Sequence, residues 1–313
     1  MLSRAGLRLK SLRNAVIGPL AVGLLRAIRR TDPDRIADAS ARLLRRVGPL
    51  LPEHRTGRAN LAAAYPERSA AEIDAILLGV WDNLGRVAAE YAHLDRLWDF
   101  DVEHPASRRI VVSPESIERF ARLRDADPPT LVFAAHLANW ELPALAAAAY
   151  GVHTAILYRT PNIGDVAAAV RGMRAQRMGP LISTGIGAPS AAAAALERGL
   201  HVGMLVDQYF HRGVDVLFFG RRTKANPMIA RIARHFDCPI RGTRAIRLED
   251  HRFRMELTEP IAPPRDHEGR IDVEATTQMI ATIIEGWVRE HPEQWLWLHR
   301  RWRDSLPGFD SRP

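Results

Sequence analysis

The sequence predicts an α/β fold, a central, mainly parallel sheet flanked by helices and preceded by helices at its N-terminal end. Three observations predict it. Short β-prone runs at 130–135, 154–158 and 201–206 alternate with helical stretches near 165–177 and 188–198. Residues 34–98 carry apolar side chains at helical spacing, broken at Pro52 and Pro66. With 313 residues, 47% of them hydrophobic, the chain can bury a full core.

In order, the first 30 residues read as a basic flank, an apolar run at 15–25, then Arg26, Arg29 and Arg30. As a helix that run covers about 16 Å against a hydrocarbon thickness of roughly 30 Å, so it suits an interfacial anchor, or else a buried helix, better than a span. The arginines after it argue against an exported leader. Residues 31–125 form a helical region, with an amphipathic helix at 80–91 whose Trp81 and Tyr91 read as core and a short helix at 114–123. Residues 126–313 form the α/β core. It holds a further strand at 214–219, closed by Gly220 and a basic loop of Arg221, Arg222 and Lys224, then a helix at 227–235. Runs at 239–248 and 253–258 read as a hairpin or two late strands, before a last helix at 273–290. Ala-rich stretches at 144–149 and 191–195 could leave room for an alkyl chain, but Ala is also the best helix former, which is the reading preferred.

The single Cys238 excludes a disulfide framework and cysteine-built zinc, and fits a reducing compartment. A net charge of +8 calls for an anionic partner, either nucleic acid or a membrane with phosphorylated lipids. Lys occurs only at positions 10 and 224, so the positive charge is nearly all Arg, which suits bidentate phosphate recognition.

The chemistry centres on TLVFAAHLANWELPALAAAA, residues 130–149, a strand that breaks at His136–Trp140 and resumes as a helix. Pro143 is tolerated only in a first helical turn, so the helix starts near 140–142. On a continuous helix, residues five apart point about 140° away from each other, so His136 and Glu141 can meet only across such a turn. A carboxylate beside an imidazole fixes its tautomer and stabilises the imidazolium, which makes a general base for a hydroxyl nucleophile. Spacing alone is a weak signal. The composition gives roughly 1.4 chance matches to a His followed five residues later by an acid. The chain has four, at His136, His251, His267 and His299, and only the first spans a strand, a turn and a helix start.

In parallel sheets ligands bind beyond the carboxyl ends of strands, where His136, Arg159 and Asp207 fall together. Arg159 after Tyr158 can neutralise an oxyanion or a phosphate, or sit in a solvated turn. Asp207-Gln208 ends a buried strand and could also merely cap the next segment. Arg171, Arg174 and Arg177 share a helix face, open to phosphate or to solvent. In PEQWLWLHRRWR, residues 292–303, Trp beside Arg suits a membrane interface or stacking on a substrate, and equally a segment docked by its tryptophans.

Taken in order, His136-Leu137-Ala138-Asn139-Trp140-Glu141, Tyr158-Arg159, Asp207-Gln208, Phe218-Phe219-Gly220 and Pro292-Glu293-Gln294-Trp295 through Leu298-His299-Arg300-Arg301 resemble the lipid A biosynthesis acyltransferases, the late lauroyl/myristoyl-type enzymes. The resemblance covers the chain and is strongest over 130–303. It departs at Ala138, where the family usually has Gly, and at Thr160, where Pro is common. It implies a glycerol-phosphate-acyltransferase-like fold on the cytoplasmic face of the inner membrane, anchored by the N-terminal segment. It also implies an acyl carrier protein thioester as donor, a phosphorylated, Kdo-bearing lipid A precursor as acceptor, and no metal or other cofactor. The catalytic expectation is His136 with Glu141 holding its imidazole, and Arg159. Substrate binding is expected at Asn139, Trp140, Tyr158, Arg174, Arg177, Asp207, Gln208, Arg300 and Arg301. Lipid phosphates and an acidic carrier account for the charge better than nucleic acid does. The alternatives are an acyltransferase for another lipid or glycolipid acceptor, and a noncatalytic basic membrane- or nucleic-acid-binding protein of the same fold.

Overall fold

The computed structural model describes residues 27–101, 108–159 and 178–303, with Gly23 and His104. Its centre is a seven-stranded sheet. The strands are β1 (Ile110–Val112), β2 (Leu131–Ala134), β3 (Thr154–Tyr158), β4 (Leu181–Ser183), β5 (His201–Leu205), β8 (Ile240–Arg247) and β9 (Phe253–Leu257). They lie in the order β1-β9-β8-β2-β5-β3-β4. Neighbours run parallel except β8 and β9, which form an antiparallel hairpin, so the expected mixed α/β sheet is the one found. β2 is buried along its whole length, as a continuous apolar run in a central strand must be when helices cover both faces. The three-residue strands β1 and β4 are additions to the expected pattern, because pieces so short carry no periodicity.

Strands β6 (Val214–Phe218) and β7 (Arg221–Ala225) make a separate antiparallel hairpin. This corrects the expected basic loop. Phe219 and Gly220 both have positive φ, 53° and 67°, the left-handed pair that a two-residue hairpin turn needs. Thr223 and Ala225 then point inward while Arg222 stays exposed.

Helices α1 (Pro33–Val47), α2 (Pro52–Ala64) and α3 (Ala70–Glu90) precede the sheet. Asp32 caps α1, accepting from the amides of Asp34 and Arg35 ahead of Pro33. Ser69 and Glu72 form a capping box that starts α3, which therefore begins ten residues before the expected amphipathic helix. α1 crosses α3 closely because position 85 is Gly, where a Cβ would lie 2.6 Å from the Ser40 carbonyl oxygen. Leu61, Leu77 and Trp81 of these helices share one buried cluster with Phe133, Met204 and Ile284. Helices α4 (Pro114–Asp125) and α5 (Leu142–Ala149) pack in a second cluster with Val132, Ala245 and Met255, while α6 (Ala188–Glu197), α7 (Met228–Phe236) and α8 (Val273–Glu290) pack in the first. β2 presents Leu131 and Phe133 to one cluster and Val132 to the other, which is the strand period read directly.

The N-terminal anchor falls largely outside the described residues, as do the 165–177 helix, Arg174 and Arg177. Among the described residues no helix is long and apolar enough to cross a membrane.

Candidate active site

His136 follows β2 and Asp207 follows β5, and the ladder between these strands sets their meeting. Leu131 pairs with Val202 and Ala134 with Leu205, an offset of 71 residues (205 − 134). The same offset carried two residues further (207 − 136) brings Asp207 opposite His136. Asp207 Oδ1 lies 2.8 Å from His136 Nδ1, and Oδ2 accepts from the His136 amide at 2.9 Å. Trp295 Nε1 donates to the same Oδ2 at 2.7 Å. Burial pushes the Asp207 carboxyl up, but the imidazole and these donors outweigh it and hold it at about 2. An ionised carboxylate only accepts, so Nδ1 carries a proton, and in the neutral imidazole Nε2 is the ring nitrogen without one. The Gln208 amide stands 3.4 Å from Nε2, and the imidazole ring leans on Trp140 at 5.3 Å between centroids.

The expectation that Glu141 holds the imidazole is corrected by this geometry. Glu141 accepts instead from the Tyr91 hydroxyl, and Trp140 Nε1 donates to that same hydroxyl at 3.3 Å. The reason lies in the turn. Ala138 takes φ +47°, its amide donates to the Gln294 carbonyl, and the Glu141 amide is held by Asn139 Oδ1 at 3.1 Å. The chain thus enters α5 with the Glu141 side chain facing the end of α3 rather than the end of β5. Tyr91, read as core, lines the cavity beside it.

His136, Trp140, Glu141, Tyr158, Arg159 and Gln208 all line one cavity of about 1880 Å³. Its walls are mostly apolar, with small residues among larger ones. Ala134, Ala144, Ala147 and Thr154 lie on one side of the sheet, and Ala188, Ala193, Met228 and Ile232 belong to α6 and α7. The Ala-rich stretches therefore contribute space as well as helix propensity. Arg159 is exposed at this cavity, while Tyr158 is buried and accepts from the Ser183 hydroxyl at 3.2 Å.

Several expected substrate contacts lie elsewhere. Asn139 is fully buried and donates to Glu90 Oε2 at 2.8 Å, within an ion pair of Glu90 with Arg247. Asp207 is 4% exposed and serves the imidazole rather than a ligand. Arg301 is 2% exposed, with Nη1 donating to Thr223 Oγ1 and to the Lys224 carbonyl, each at 2.9 Å, and burial lowers its guanidinium to about 10. Arg300 alone of that pair is exposed. Trp295, Trp297 and Trp302 are each at most 3% exposed, so docking accounts for the C-terminal tryptophans. Trp295 joins the site without having been expected there, and its only sequence signal is its place in the Pro-Glu-Gln-Trp run.

Among the described residues no group of His, Cys, Asp and Glu could hold a metal ion. A family model described as bacterial lipid A biosynthesis acyltransferase matches residues 7–304. No curated protein matches the chain.

Proposed function

This chain belongs to the bacterial lipid A biosynthesis acyltransferase family, and we propose that it moves a fatty acyl chain from an acyl carrier protein thioester to a hydroxyl of a phosphorylated, Kdo-bearing lipid A precursor. Family membership supports acyl transfer in general. The observation that carries the specific reading is a histidine backed by a buried carboxylate at the wall of a large apolar cavity. A ligand pocket typically holds about 300–1,000 Å³, so a cavity of about 1880 Å³ has room for two lipid-sized groups at once.

In this mechanism His136 Nε2 takes the proton of the acceptor hydroxyl as its oxygen attacks the thioester carbonyl carbon. Asp207 stabilises the imidazolium so formed. The tetrahedral oxyanion collapses, the C–S bond breaks, and the thiolate leaves with the proton returned from Nε2, leaving an ester. Arg159, exposed at the cavity, is suited to balance the oxyanion or a lipid phosphate.

A membrane partner is supported by the exposed face of α1 and the turn after it. Leu43, Val47, Leu50 and Leu51 are 58%, 38%, 82% and 38% exposed, and Arg42, Arg45 and Arg46 are exposed beside them. Leucine and arginine on one face suit an anionic bilayer surface, the inner leaflet in this reading, with the N-terminal segment as a further anchor.

The test is mass spectrometry of lipids after wild type and His136→Ala are incubated with acyl carrier protein thioesters and the tetraacyl precursor. Wild type is expected to add one acyl chain, and the variant to lose about 10²–10⁴ in rate. Equal turnover by the two proteins would overturn the mechanism. Product only from a total membrane lipid extract would move the assignment to another acceptor.

A further inference from the structure

We propose that Trp295 is a positioning residue for this reaction, setting through its indole N–H how strongly Asp207 binds the His136 imidazole; the proposal rests on the acyltransferase reading of the site. The segment that carries it lies antiparallel along the catalytic turn. Leu137 bridges Trp295, the Ala138 amide donates to the Gln294 carbonyl at 2.9 Å, and the Leu296 amide donates to the His136 carbonyl at 3.1 Å. Asn83 Nδ2 donates to the carbonyls of both Ala138 and Gln294 at 3.2 Å, and the Gln294 side chain is bound in turn to the Arg247 backbone at 2.8 and 3.0 Å. The turn is therefore pinned by backbone and amide contacts that do not involve the indole.

The indole N–H is a separate device. It donates and cannot accept, so it binds Asp207 as an acceptor and favours the carboxylate over the neutral acid. Its ring is 3% exposed and set edge-on to Trp297 at 4.7 Å between centroids, which leaves it no room to turn away. Asp207 Oδ2 thus receives two N–H groups, from Trp295 and His136, and Oδ1 is left for Nδ1–H. Each donor on a carboxylate draws charge from the others, so removing the indole donor makes Asp207 a stronger acceptor for Nδ1–H but a less firmly held one. Two further titratable groups of the C-terminal segment act on this pair, His299 and Arg301, with Arg159 and Arg303 acting in turn on His299, and none of them is altered by the change.

The test compares wild type with Trp295→Phe and with a variant carrying 3-benzothienylalanine at position 295, which keeps the bicyclic ring and lacks the donor. In both variants the Nδ1–H proton of His136 should resonate further downfield. The acid limb of kcat/KM should move to higher pH, and kcat should fall about tenfold with KM for donor and acceptor unchanged. An unmoved proton resonance and an unmoved acid limb in the benzothienyl variant would overturn the proposal, whatever its activity. The resonance is read without turnover, so a wild type that acylates no lipid would refute the acyltransferase reading and leave this measurement decisive.

Discussion

Two buried carboxylates stand on either side of the turn from His136 to Trp140. Asp207 is 4% exposed and Glu141 5%, and either could have held an imidazole. Asp207 reaches it because parallel strands fix its height beside His136, and three N–H groups keep it ionised. Glu141 is nearer in sequence, but it opens α5 and meets Tyr91 at the end of α3, where it ties the helical region to the site. Strand register sets the partner of the imidazole on one side, and helix packing sets the shape on the other. Sequence proximity counted for less than the direction in which each backbone carries its side chain.

The largest expected effect separates the two carboxylates by rate. Asp207→Asn removes the charge that stabilises the imidazolium and should lower kcat by about 10³–10⁴. Glu141→Gln still accepts from Tyr91 and should cost less than about tenfold. Steady-state kinetics on both variants checks this, and equal losses would erase the distinction drawn between them.

The next effect is one of stability against pH. The Asp207 carboxyl is held at about 2 against its ordinary 3.8. A lowered folded value means stability that is present above pH 3.8 and lost as pH falls through about 2. Its size is on the order of 2 kcal/mol. Chemical denaturation between about pH 5 and about pH 2 should therefore show wild type losing that increment, while Asp207→Asn, already without it, runs flatter. Parallel curves would show that the carboxylate contributes nothing to folding.

The smallest effect tests the turn that points the two side chains apart. Ala138 sits at φ +47°, which costs a non-glycine residue about 1 kcal/mol or more. Ala138 is also fully buried, so Ala138→Gly loses the packing of one methyl group. Relief of strain is expected to win by a margin under about 1 kcal/mol, read as a small rise in Tm. A fall in Tm would mean that the methyl packing outweighs the strain.

By itself the sequence determined the layered α/β class, because apolar runs of strand length alternating with helical patterns allow few other ways to bury their faces. It also determined that His136 ends a strand and that a helix begins before Pro143, since proline restricts where a helix can start. Tertiary structure alone decided which acid meets the imidazole, because an offset of 71 residues is a property of strand pairing and leaves no local pattern. It decided likewise that Arg301 and the three tryptophans lie inside. The letters Trp and Arg suit a membrane face, a ligand or a core equally well, and only the packing of Phe218, Thr223 and Asp207 against them selects among the three.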